Sequence, residues 1–228
     1  MKPFNGVAGS LRAIQASLLT VHCAGWALWH QAGTQEETVQ SAVHNKWIPG
    51  LQRITGPWTV DGQTQALELL REGGALVIAN HQSMLDIPLL MSACGPVPRF
   101  TAKAAIRSWP ILGAFLSATG TCFIDRRTPR AAQRAMRQWG ETVREKPRRL
   151  IAGFPEGSRS RTGQLQPLKS GLFRVAAECG MPIVVVLLDP EALCATAVCV
   201  IPPNPNPNAL REHARKALSA PPCLASLN

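Results

Sequence analysis

Two residues of this chain are spaced to move a proton. His81 and Asp86 lie five apart in Asn80-His81-Gln82-Ser83-Met84-Leu85-Asp86. An imidazole exchanges a proton near neutral pH without a shifted pKa. A carboxylate five residues on, across a turn, can fold back onto one ring nitrogen, which fixes the tautomer and leaves the other nitrogen free as a base. The apolar run Ala75-Leu76-Val77-Ile78-Ala79 before the pair reads as a buried strand, and Ile87-Pro88-Leu89-Leu90-Met91 after it reads as a helix start. His81 therefore falls where a strand ends and the chain turns, the usual place for catalytic groups in open α/β sheets. A solvated loop histidine is the alternative reading of the stretch taken by itself.

Three later stretches alter that balance: Gly120-Thr121-Cys122-Phe123-Ile124-Asp125-Arg126, Phe154-Pro155-Glu156-Gly157-Ser158-Arg159-Ser160 and Met181-Pro182-Ile183-Val184-Val185-Val186. With the His81 stretch they resemble, in order and spacing, the four blocks of the glycerolipid acyltransferases, which include the 1-acylglycerol-3-phosphate (lysophosphatidic acid) acyltransferases. The resemblance runs from about Val77 to Val186. The first and third blocks are close matches. The fourth departs, with Val185 where the family usually has a second proline, which bears on acyl-chain details more than on the chemistry.

The resemblance implies acyl transfer from a thioester, acyl-CoA or acyl carrier protein, to a hydroxyl of a glycerol phosphate lipid. His81 would be the general base and Asp86 its orienter, and no side-chain nucleophile is needed because the acceptor hydroxyl attacks the thioester directly. Ser83 lies inside the block, but the chain lacks the GxSxG pattern of serine hydrolases. Arg126 and Arg159 would hold the acceptor's phosphate, and Glu156, Gly157 and Ser158 are assigned to the same site. The residue types fit these roles: arginine offers a planar fork for phosphate, and glycine lets backbone approach a ligand. A structural Glu156–Arg159 ion pair is the alternative for those two residues. The family also carries a lysine near position 103, so Lys103 is expected at the active site, with a solvated surface lysine as the alternative. The oxyanion donors would be backbone N–H groups near the helix start after His81, or Lys103. No metal or organic cofactor is called for.

Charge distribution points the same way. The net charge is +10, and residues 99–174 hold sixteen Lys and Arg against four acids. Such a block implies an anionic partner. Nucleic acid is disfavoured, because the chain has no Tyr, no basic stretch interleaved with aromatics and no nucleic-acid module. The seven cysteines are scattered with no CxxC pair, so neither a disulfide framework nor a zinc site is expected, and a reducing compartment is implied.

The elements that must position these residues alternate between strand and helix. Expected strands cover 53–60, 75–79, 119–125, 149–154, 182–188 and 197–201, with helices at 64–71, 129–146, 172–179 and 208–219 and a short apolar helix at 109–116. The tail from Pro221 is expected to fray. The fold class is α/β, one central mostly parallel sheet flanked by helices; the resemblance implies the glycerol-3-phosphate acyltransferase type. The strand ending at Asp125 is expected beside the strand ending at His81.

Residues 1–50 read as a membrane-associating appendage and residues 51–228 as the acyltransferase domain. Leu11, Ile14, Leu18, Val21, Gly25 and Leu28 recur at helical spacing, and Trp26, Trp29 and Trp47 suit a bilayer interface. The apolar run is shorter than the roughly 20 residues of a spanning helix. A helix pair over about 10–31 and 34–48, dipping into one leaflet, is expected; an amphipathic helix packed on the core is the alternative. The expected protein is an enzyme of the cytoplasmic face of the plasma membrane. It would make phosphatidic acid from lysophosphatidic acid. The alternatives are an enzyme of the same superfamily with another acceptor, such as a lyso-ornithine lipid or a lysophospholipid, and a non-catalytic membrane-binding homologue.

Overall fold

The computed structural model describes residues 6–30, 34–146, 148–160 and 162–219. The expected tail from Pro221 and residue 31 of the first expected helix lie outside them. Seven strands form one sheet among the described residues: β1 Thr59–Gly62, β2 Leu76–Ala79, β3 Arg99–Lys103, β4 Cys122–Ile124, β5 Ile151–Gly153, β6 Ile183–Asp189 and β7 Cys194–Ile201. Their order is β1-β7-β6-β2-β5-β3-β4. Neighbours run parallel except β6 and β7, which pair antiparallel.

The three central strands are short runs of Val, Ile, Leu, Ala and Gly, with little polar alternation, because helices cover both faces. Successive side chains point to opposite faces. Val77, Ala79, Ala152, Val184 and Val186 enter one core layer, with residues of α4 (Thr64–Glu72) and α5 (Asp86–Ser92). Leu76, Ile78, Ile151, Ile183 and Val185 enter the other, with α7 (Pro129–Arg144), α8 (Gly171–Cys179) and α9 (Pro207–Ser219). Phe173 of α8 is fully buried in that second layer.

The N-terminal helices are α1 (Gly6–Trp29), then one continuous helical run made of α2 (Gln35–Ser41), a π-helical stretch Ala42–Trp47 and α3 (Ile48–Thr55). Thr34 opens α2 with a capping box: its side chain accepts from Glu37 N, and the Glu37 carboxylate accepts from Thr34 N. Val39, Val43 and Ile48 share the core layer of β2. Position 50 falls inside α3. The inner face of α1 buries Cys23, Ala24 and Ala27. Its outer face leaves Leu11, Ile14, Leu18 and Val21 exposed, Leu18 by 66% and Trp29 beyond them by 85%. No helix among the described residues is long and apolar enough to cross a membrane.

Several expectations change here. Residues 53–55 are helical, not strand, because Ile48 and Leu51 give α3 an apolar face, and the helix stops only at Gly56, whose φ of 111° suits glycine alone. The following β1 is an exposed edge strand, so it carries no hydrophobic alternation to read. β3 forms from Arg99–Lys103, a segment without an expected strand, and inserts between β5 and β4. The strand ending near Asp125 is therefore an edge strand, separated from β2 by β5 and β3, and not its neighbour. Trp47 turns inward: its indole N–H donates to Thr20 Oγ1 at 2.9 Å, and its ring packs against the core.

The six described cysteines are free. Burial pushes the Cys122 thiol up to about 12 and that of Cys94 higher still, so both behave as small apolar side chains. Phe173→Ala should lower the unfolding free energy by about 3–5 kcal/mol, the usual cost of such a cavity; urea unfolding followed by circular dichroism measures it.

Candidate active site

β2 ends at Ala79, and the chain then turns through 80–85 before α5 begins at Asp86. Asp86 is fully buried. Its Oδ2 accepts three N–H groups at once: His81 Nδ1 at 2.8 Å, Gln82 N at 2.6 Å and Ser83 N at 2.7 Å. The turn is thus wound around one carboxylate oxygen. Oδ1 is also buried, with no hydrogen-bond partner among the described residues.

The ring is held in a plane as well. Phe154, just after β5, stacks on His81 with centroids 4.0 Å apart and an angle of 14°. The His81 side chain keeps 16% exposure. Nδ1 is committed to Asp86, so Nε2 is the nitrogen left to take a proton from another molecule.

Glu156 secures the same turn from the neighbouring strand end. It is 3% exposed. Oε1 accepts from His81 N at 2.8 Å and Oε2 from Gln166 N at 2.9 Å. Ser160 N donates to His81 O at 2.7 Å. Both backbone groups of His81 are therefore tied to the third block. On the other side, Asn80 uses its whole amide on β6, donating to Leu188 O at 2.9 Å and accepting from Leu188 N at 2.8 Å.

The expected cations are distributed around this centre. Arg126, after β4, donates from Nη1 to the Gly157 carbonyl oxygen. Gly157 has φ +74°, a conformation that only glycine takes without strain. Ser158 and Arg159 are exposed in the same loop, and Lys103 is exposed at the end of β3. Among the described residues no carboxylate lies within ion-pair distance of Lys103, Arg126 or Arg159. The Glu156–Arg159 ion pair considered above is absent, because backbone amides occupy both oxygens of Glu156. No group of His, Cys, Asp and Glu among the described residues is arranged to hold a metal.

The amides of Gln82 and Ser83 are spent on Asp86, and that of Leu85 donates to Ser83 Oγ. These three amides are therefore not open to an oxyanion. The roles of Asn80, Phe154 and Gln166 were not read from sequence. Each is a contact across 73 or more positions or through a backbone atom, and no local pattern marks it.

A buried carboxylate orienting a partly exposed histidine beside unneutralised cations suits proton removal from a hydroxyl on an anionic substrate. The family model for acyltransferases matches residues 59–189, which include all four blocks. The chain belongs to the acyltransferase family. The four-block resemblance is thereby borne out. Among relatives of this acyltransferase, the 1-acyl-sn-glycerol-3-phosphate acyltransferase of Saccharomyces cerevisiae is 39% identical over 116 residues, covering 50% of this chain and 38% of the relative. The enzyme of that name from Cocos nucifera is 37% identical over 145 residues, covering 62% and 42%. That of Neisseria gonorrhoeae is 39% identical over 115 residues, covering 50% and 44%. The chain thus spans less than half the length of each of these relatives. The crystal structure of the 1-acyl-sn-glycerophosphate (LPA) acyltransferase PlsC from Thermotoga maritima superposes with a TM-score of 0.68 at 21% identity, covering 91% of this chain and 92% of that one. The likeness confirms the expected fold class.

The bonds of Glu156 generate a prediction. A glutamine there keeps one acceptor but turns an NH₂ group toward a backbone N–H. Glu156→Gln should lower the unfolding free energy by about 1–3 kcal/mol with no substrate present. An unchanged urea midpoint would move Glu156 from the scaffold back to the substrate.

Proposed function

We propose that this chain transfers a fatty acyl group from acyl-CoA or acyl carrier protein to the free hydroxyl of 1-acylglycerol 3-phosphate, giving phosphatidic acid. The observation that carries the reading is the His81 Nδ1–Asp86 Oδ2 bond of 2.8 Å, made to a fully buried carboxylate. It leaves Nε2 as the acceptor of the hydroxyl proton. The hydroxyl oxygen bonds to the thioester carbonyl carbon while Nε2 takes the proton. The tetrahedral intermediate then collapses, the C–S bond breaks, and the proton on His81 passes to the leaving thiolate. Asp86 offsets the imidazolium charge between these steps. Lys103 stabilises the oxyanion, and Arg126 and Arg159 hold the acceptor phosphate. Gly157 and Ser158 form the loop that carries Arg159 and meets Arg126, and Glu156 acts from behind by positioning His81. The three relatives named above carry the activity proposed here in their names.

The substrate would be reached from a bilayer. Leu11, Ile14, Leu18, Val21 and Trp29 of α1 are exposed, and so are Met84 beside His81 and Trp109 and Ile111 before α6 (Leu112–Ala118). A Cβ built on Gly25 of α1 would lie 3.8 Å from Ile111 Cγ2, so that loop runs close over the α1 surface. We read residues 1–50 as the part that lies in one leaflet and residues 51–228 as the catalytic part. Unpaired thiols suit the cytoplasmic leaflet of the plasma membrane.

Two experiments test the reading. In transfer assays with both thioester donors, lysophosphatidic acid should be acylated in preference to glycerol 3-phosphate, lysophospholipids and lyso-ornithine lipid. His81→Ala should cut the rate at least by the roughly 10²–10⁴-fold that positioned proton transfer supplies, with an unchanged circular dichroism spectrum. Turnover surviving in that variant would remove His81 from the mechanism. For the membrane surface, Leu11→Ser, Ile14→Ser and Leu18→Ser together leave the buried face of α1 intact. Each large apolar side chain contributes about 1.5–3 kcal/mol on burial, so the triple variant should leave the liposome fraction on flotation. Undiminished flotation would refute the α1 docking surface.

A further inference from the structure

Lys169 stands outside every assignment made above, yet the fold delivers it to the third block. The segment leading into α8 returns to the Pro155–Gly157 turn and is fastened there twice through its backbone. Gln166 N donates to Glu156 Oε2 at 2.9 Å, and Lys169 N donates to Pro155 O at 2.8 Å. The second bond sets the Lys169 side chain over Gly157. A Cβ built on Gly157 would lie 2.8 Å from Lys169 Nζ and 3.0 Å from its Cδ and Cε. The lysine therefore occupies the space that a side chain at 157 would need, which is a second reason for glycine there besides the φ of +74°.

Two cations thus converge on one residue. Arg126, arriving from the edge strand β4, holds the Gly157 carbonyl, and Lys169, arriving from the start of α8, lies against its Cα. No carboxylate among the described residues is within ion-pair distance of either. The adjacent acid, Glu156, directs both oxygens to backbone amides. Two cations that meet the same residue without a carboxylate leave positive charge unneutralised there, and a bound phosphate monoester is the group that would neutralise both.

We propose that Lys169 is a ligand of the acceptor's phosphate, shared with Arg126 across Gly157. The chemical class it selects is a phosphate monoester, and the naming of that monoester as the acceptor rests on the function proposed above.

The test separates the two. Titration calorimetry with glycerol 3-phosphate and with inorganic phosphate reads the site without turnover. Lys169→Met removes the charge but keeps the backbone N–H that fastens the turn, and the side chain is exposed, so the urea midpoint should hold. The variant should bind both probes about ten- to a hundredfold more weakly, the range for one charged hydrogen bond. Lys169→Arg should recover most of the loss. In steady state, Lys169→Met should raise the KM of lysophosphatidic acid by a similar factor and leave that of the thioester within about twofold. Binding as tight as wild type in Lys169→Met, equal KM changes for donor and acceptor, or no phosphate binding by the wild-type protein would each overturn the assignment. Failure of the wild type to acylate lysophosphatidic acid, with phosphate binding still lost in Lys169→Met, would overturn the proposed acceptor and uphold Lys169.

Discussion

One carboxylate oxygen organises this molecule. Asp86 Oδ2 receives the imidazole N–H of His81 and the two amides that follow it, all within 2.8 Å. A six-residue turn that leaves a strand and enters a helix has polar backbone groups to satisfy and no regular partner for them. Here they close on the same atom that orients the base. The turn cannot relax without releasing His81, and His81 cannot rotate without taking one of three donors from a buried carboxylate. Fold and candidate chemistry share this constraint, so the central strands had to be apolar on both faces to bury it.

Around that centre, acids and bases are separated. Both buried acids of the site, Asp86 and Glu156, are engaged with N–H groups of the His81 turn and its flank, and are not available to neutralise arginine or lysine. The cations lie outside, at strand ends and in the loop after β5, without carboxylate partners among the described residues. A site built this way keeps its negative charge for positioning and leaves its positive charge for the substrate. An aromatic step from Phe100 to Phe154 to His81 links the core to the site.

Much of this was legible in the sequence, and the rest was hidden for physical reasons. β2, β5 and β6 announce themselves as apolar runs because both faces are covered, and α7 shows its Met136, Trp139 and Val143 stripe. His81 and Asp86 could be paired because a local turn joins them. β1 and β3 were misread or missed: β1 is exposed, and β3 mixes Arg99 and Lys103 with its buried Phe100, so neither has a clean pattern. The strand order escaped for a different reason, since the insertion of β3 between β5 and β4 depends on pairings between distant segments. Glu156 was placed in the substrate site on resemblance, whereas its oxygens meet the backbone of His81 and Gln166. Asn80 clamps Leu188 across 108 positions. Bonds to backbone atoms leave no trace in residue types at the far end, and that is why the partners of Asn80 and Glu156 were not legible.

The central claim is that Asp86 holds His81 with its proton on Nδ1 and its lone pair on Nε2. Nitrogen-15 NMR of the imidazole rings, with His81→Ala used to assign the His81 signals, tests this in the substrate-free protein with the ring neutral. The account predicts a protonated, pyrrole-type Nδ1 and a bare, pyridine-type Nε2. A pyridine-type Nδ1 with the proton on Nε2 would contradict it, because the ring would then have no base to offer an incoming hydroxyl.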